Sequence, residues 1–201
     1  MGVTKLTTNG IIASAKYDSF KANNQPVMGG DFQSIATVTV GSGGSATITF
    51  SSIASTWSHL QIRYIARSAY AGNTSSLKIR FNSDTASNYY SYHEIYADGA
   101  TAAAYAGGAA GYMQFDQITA ANKSASIFGA GIIDILNYGS STNNKTVRFL
   151  DGWDANGSGA VVFGSALWKP SIVAAVSQID ITEFNGSNFA QYSSFALYGV
   201  S

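Results

Sequence analysis

The chain has 201 residues, and charged side chains make up only 11% of them, against about 25% in a typical globular domain. Formal net charge is zero and the pI is near 6.7. That balance favours association at neutral pH and argues against a nucleic-acid binder, which ordinarily carries a basic excess. There are no cysteines, which excludes disulfides and thiolate metal sites.

The opening Met1–Leu6 has no basic n-region followed by an apolar h-region, so no secretion signal is expected. Leu6 stands where a myristoylation signal needs Ser or Thr. No apolar run approaches the roughly 18 residues of a membrane span, and a soluble product of a cytoplasm, with no membrane partner, is the expectation. A length near 200 residues suits one β-sandwich or barrel.

Residues 1–33 read as an extended arm, ordered where it lies on something else. Their polar, turn-prone spacing carries only scattered apolar anchors, Leu6, Ile11, Ile12, Tyr17 and Phe20. A first strand or a frayed terminus is the plainer alternative. From residue 34 to 201 a single sandwich domain is predicted.

Within it the period becomes two. Ala36, Val38 and Val40 alternate with Thr37 and Thr39, and Ala46, Ile48 and Phe50 with Thr47 and Thr49. With Gly41–Gly44 between them, the pair predicts a hairpin. Leu60, Ile62 and Tyr64, then Leu77, Ile79 and Phe81, alternate with long polar residues, which places them on one sheet face. Further strands are expected in 126–136, 146–150, 160–168, 176–184 and 193–200. No helical stripe with caps appears. Many short strands at this spacing predict an all-β, two-sheet antiparallel sandwich, jelly-roll-like. The tract 97–111, rich in Ala and Gly, reads either as a mobile loop or as a segment packed on a neighbouring subunit.

Chemistry is sparsely signalled. His59 and His93 could serve a hydrolytic triad, but no Gly-x-Ser-x-Gly elbow is present, and a structural imidazole explains each. The carboxylates are too scattered to pair as a glycosidase needs. Asp154–Gly159 matches the first half of a calcium loop, yet Ser165 stands where a bidentate Glu is required, and an Asn-Gly turn explains the same residues. No catalytic residue, metal ligand or cofactor is therefore assigned, and no enzyme is expected. The tyrosines 89, 90, 92, 96, 105 and 112 are more suggestive. Tyr89, Tyr90, Tyr92, Tyr96, Tyr105 and Tyr112 could form a subunit contact, stack on sugars, or pack across strands.

Several stretches in order carry a resemblance. They are Asp31–Gly41, Phe50–Ile53, Trp57–Arg63, Ile79–Thr85 with Asn88 and Tyr89, and His93 with Tyr96, Asp98 and Gly99. The second half adds Phe128-Gly129, Ile133–Tyr138, Asn144–Arg148, Asn156–Gly159 and Ala190–Gly199. The chain resembles small virion structural proteins of tailed bacteriophages, tail-fibre-like or simply structural. The resemblance covers nearly the whole length, and its strength lies in the order of motifs rather than in any one. It implies a β-sandwich on the particle exterior, assembled in the host cytoplasm, trimeric, and without catalytic residues. The expected role is capsid decoration (cement or head fibre), with the arm on the major capsid protein. A receptor- or carbohydrate-binding tip touching host surface glycans is the alternative.

Overall fold

A computed structural model describes residues 32–201 except Asn88, and only the backbone at Ala109 and Asp116; the expected arm anchors Leu6, Ile11, Ile12, Tyr17 and Phe20 lie outside the described residues. Twelve strands follow one another: β1 (Phe32–Thr39), β2 (Thr47–Phe50), β3 (His59–Ala66), β4 (Thr74–Phe81), β5 (Tyr90–Ala97) and β6 (Ala102–Ala110), then β7 (Met113–Thr119), β8 (Gly129–Ile135), β9 (Lys145–Asp154), β10 (Gly159–Trp168), β11 (Ile179–Glu183) and β12 (Ser194–Val200). They form an eight-stranded sheet, in the order β1-β12-β3-β8-β9-β10-β5-β6, and a four-stranded one, β2-β11-β4-β7. Every strand pairing is antiparallel. The expected all-β sandwich is what the chain forms.

The order has a simple origin. With β5–β6 and β9–β10 set aside, the remaining strands pair in nested fashion: β1 with β12, β2 with β11, β3 with β8, β4 with β7. That is one long hairpin rolled up so that successive strands alternate between two sheets, the jelly-roll arrangement. The two extra hairpins both extend the same sheet beyond β8. One sheet thereby doubles in width while the other stays narrow.

Alternation sets the core. Leu60, Ile62 and Tyr64 of β3, Val147 and Phe149 of β9, and Phe195 and Leu197 of β12 point inward and are buried. They meet Ile48, Phe50, Leu77, Ile79, Phe81, Ile179 and Ile181 of the smaller sheet in one cluster. Phe115 of β7 stands edge-on to Phe149, with ring centroids 4.5 Å apart. Gly164 makes room for that ring, since a Cβ there would lie 2.4 Å from Phe149. Buried polar groups are tied down: the Arg67 guanidinium donates to the carbonyls of Ala121, Lys123, Ser124 and Ile127, pinning the loop between β7 and β8.

Strands β5 and β7 form where no strand is expected, and the pattern of segments departs from expectation at three further places. First, β1 and β2 are not a hairpin. They lie in different sheets, and 41–46 carries the chain across, with Gly44 at φ 71. Alternation and a Gly-rich link are equally compatible with a corner between sheets, because long-range partners choose the pairing. Second, the small-residue tract is not a loop: Ala102–Ala110 is strand β6, in register with β5 at the sheet's edge. Third, the domain's first strand begins at Phe32, inside the stretch read as arm.

Phe149→Ala would leave a cavity at the meeting point of the sheets, and such truncations typically cost about 3–5 kcal/mol. Urea unfolding should register that loss, whereas Thr47→Ala, on the exposed side of β2, should change stability by less than about 0.5 kcal/mol.

Candidate functional site: the outer face of the wide sheet

The wide sheet has two faces, and the outer one is where expectation and structure part most. Register links its residues into rows that cross the strands. One row runs Arg63, Ile132, Leu150, Phe163, Ile95, Ala104 from β3 to β6. The next runs Ile65, Ala130, Gly152, Val161, Ala97, Ala102 across the same strands. Phe163 is 56% exposed, Ile95 60%, Leu150 48%, Val161 49% and Ile65 55%. Neighbours in a row stand roughly 4.8 Å apart and the rows roughly 7 Å apart, so these side chains are continuous. A monomer seldom shows an apolar patch beyond a few hundred Å², and this one fills the middle of a sheet.

A third row, Gln61, Asp134, Arg148, Ser165, His93, Ala106, borders the patch and is polar. Its charges are satisfied internally. Gln61 Nε2 donates to Asp134 Oδ1 at 2.8 Å, and Arg148 stands 3.9 Å from the same carboxylate. Arg63 Nε donates to Gln61 Oε1 at 2.8 Å, and its guanidinium lies over the rings of Phe32 and Tyr198. Where large Phe163 and Ile95 stand beside small Ala104, Ala106 and Ser165, an open trough of about 590 Å³ results.

The outer face of the narrow sheet contrasts with this. It presents Thr47, Thr49, Lys78, Arg80, Asp180 and Thr182. Thr49 Oγ1 donates to Asp180 at 2.8 Å, and Lys78 lies over the rings of Tyr112 and Phe184. That surface is one for water.

The tyrosines do not form one surface. Tyr90, Tyr92 and Tyr96 alternate along β5 on the inward side. Tyr90 is 1% exposed and packs on Trp168, so, contrary to expectation, its ring offers no surface to a subunit or a glycan. Its hydroxyl donates to the Asp84 carbonyl at 3.1 Å and accepts from the Phe81 N–H at 3.2 Å, and burial raises its pKa well above the usual phenol value. Tyr89, Tyr92 and Tyr96 are half-buried against the core. Tyr112 is half-buried on the other sheet's side, beneath Lys78. Tyr105 alone is largely exposed, edge-on to Tyr96 at 6.4 Å, where β6 projects past the narrow sheet. Cross-strand packing thus accounts for most of the cluster.

The remaining candidates resolve locally. His59 Nδ1 accepts the Asn137 N–H at 2.9 Å and helps line a polar depression of about 700 Å³ with Trp57, Ser140 and Thr142. His93 is exposed beside Ser165, but Glu94 points through the opposite face and is buried. Asp154 Oδ1 accepts the Asn156 N–H at 2.7 Å, and Ala155 N–H donates to the Ser158 carbonyl. With positive φ at Asn156 and Gly157, that is a hairpin turn rather than a calcium loop. Among the described residues, no group of three or more His, Asp or Glu is placed to hold a metal ion, and no helix is long and apolar enough to cross a membrane.

Comparisons with protein-family models, curated proteins and solved structures gave no match. The fold and this face therefore define the chain as a jelly-roll β-sandwich whose widened sheet is apolar on both sides. The sequence carries a signal for that face that strict alternation hides. Ile132-Ile133, Leu150 after Phe149, and Val161-Val162-Phe163 are continuous apolar runs, the mark of a strand covered on both faces.

Two expectations follow. Tyr90→Phe removes a buried hydroxyl with two backbone partners and should lower unfolding stability by about 1–2 kcal/mol without altering association. Hydrogen bonds from the Thr101 and Ala100 N–H groups hold the Asp98 carboxyl below its usual 3.8. Its depressed folded-state pKa makes the stabilisation of the β5–β6 turn present above that value and lost as pH falls below it. Amide shifts of Ala100 and Thr101 followed by NMR should move in that acid window, and Asp98→Asn should abolish the transition.

Proposed function

We propose that this chain is a bacteriophage virion structural protein that decorates the exterior of the capsid, as a cement or head-fibre protein. In this reading it self-associates as a trimer, and the arm that precedes β1 engages the major capsid protein. The single observation that carries the reading is the contrast between the two outer faces: one is wet, and the other is apolar across five strands. Such a surface works by contact area. Holding a shell together requires area of that kind, about 1,600 Å² in a standard contact, and repetition over symmetry-equivalent positions multiplies modest contacts. The low charge supports the same reading, because it sets no repulsion between neighbours.

A carbohydrate- or receptor-binding tip is the second reading. The polar depression at Trp57, His59 and Asn137 favours it, since an indole beside hydrogen-bonding groups suits a sugar ring. Binding of the purified chain to a glycan array, lost on Trp57→Ala, would put it first.

The decoration reading is tested on particles. The full chain should remain on the shell exterior in images of intact virions, and a chain beginning at residue 32 should be absent from them while keeping the β-sheet circular dichroism of the full chain. Normal decoration by the shortened chain would refute anchoring through the arm, and a location away from the capsid would refute the role.

A further inference from the structure

We infer that the apolar outer face of the wide sheet binds second copies of this same chain, the faces turned toward a common three-fold axis, with Phe163, Ile95, Leu150 and Val161 at the centre of the contact. The inference deepens the assembly reading by naming its surface, and it rests on that reading only for the number three.

Area is the first argument. Seven inter-strand intervals of roughly 4.8 Å and seven residues of roughly 3.4 Å give a face of roughly 34 by 24 Å, or about 800 Å². That is the share one partner contributes to a standard interface. The apolar rows occupy its middle and the polar row with Arg148, Asp134 and Gln61 its border, the core-and-rim order of protein contacts.

Charge is the second argument. Identical faces meet only if like charges do not oppose one another unpaired. Here the border arginines already have partners in their own chain: Arg148 has Asp134, while Arg63 has Gln61 and two aromatic rings. The centre carries no charge. A nucleic acid or an anionic bilayer would call for a basic excess that this face lacks. A glycan would call for donors and acceptors that the side chains of the two rows do not offer between β8 and β6.

The edge supplies the third. Strand β6 ends the sheet with Ala102–Ala110, nine residues without a charge or proline. Natural proteins guard exposed edges with charge, proline or brevity. The narrow sheet does so at one edge by brevity, in the four residues of β2. The β6 edge lies where both apolar rows run out, at Ala104 and Ala102, so a copy seated on the face would reach it; β1 at the opposite edge is likewise without charge or proline.

The test uses the purified full chain, with mass measured by size-exclusion chromatography with light scattering and by native mass spectrometry at micromolar concentration. A trimer is expected for the unaltered chain. Phe163→Asp and, separately, Val161→Lys should weaken association at least about 100-fold and give monomers with unchanged circular dichroism. Thr47→Asp, on the wet face of the narrow sheet, should leave the trimer intact. A dimer dissolved by the same two substitutions would support the surface and correct the number. A monomeric unaltered chain would overturn the inference, as would an oligomer indifferent to both substitutions. Either result leaves particle decoration to be decided by its own experiment.

Discussion

Two sheets of unequal width must share one core, and most of this structure answers to that constraint. Four strands cannot cover eight. The cover is completed by bulk: Trp168 fills the region past the narrow sheet, edge-on to Phe81 at 5.6 Å and stacked on Tyr90, with its indole N–H held by Asp84 at 2.8 Å. Tyr92 lies over Gly107, where any larger residue would collide with its ring. The tyrosines of β5 are therefore lagging for an overhanging sheet. Cover runs out at β6, and Tyr105 stands in the open there.

The widening also created a surface that the rolled hairpin alone would not have. Of the large apolar groups on the outer face, Leu150, Val161, Phe163 and Ile95 belong to β9, β10 and β5, the strands inserted into the roll. From the roll itself come Ile65 and Ile132 and, at the β1 edge, the stacked pair Phe32 and Tyr198. Stability and adhesion are thus partly divided between segments of the chain. Changes to the inserted strands can retune the outer face while the nested pairs keep the scaffold.

Much of the scaffold was legible in the amino-acid order, because Leu60, Ile62 and Tyr64 of β3 and Leu77, Ile79 and Phe81 of β4 alternate with polar residues, and the period of two needs no partner to be seen. Strands β5, β6 and β7 were not, and in β7 the positive φ of Gln117 interrupts the period. The tyrosines of β5 suggested contact with something else, and Ala and Gly have low strand propensity; only pairing with β5 makes a strand of 102–110. The supposed hairpin at 41–44 failed for a related reason. Local pattern says that a segment is extended, while the partners of β1 and β2 lie some 150 residues away in β12 and β11. The outer face was written in doubled apolar residues such as Ile132-Ile133, and a search for alternation passes over them.

The nested pairing has one more consequence. Phe32 sits opposite Val200 across the β1–β12 ladder, so the described chain enters and leaves at a single corner. In a chain shortened to begin at residue 32, a short peptide could close that seam, and the backbone could be reopened at the exposed bend of residues 155–158 without breaking a single cross-strand pair. The roll is in this sense indifferent to where its covalent order starts, and a circularly permuted version should reach the same arrangement.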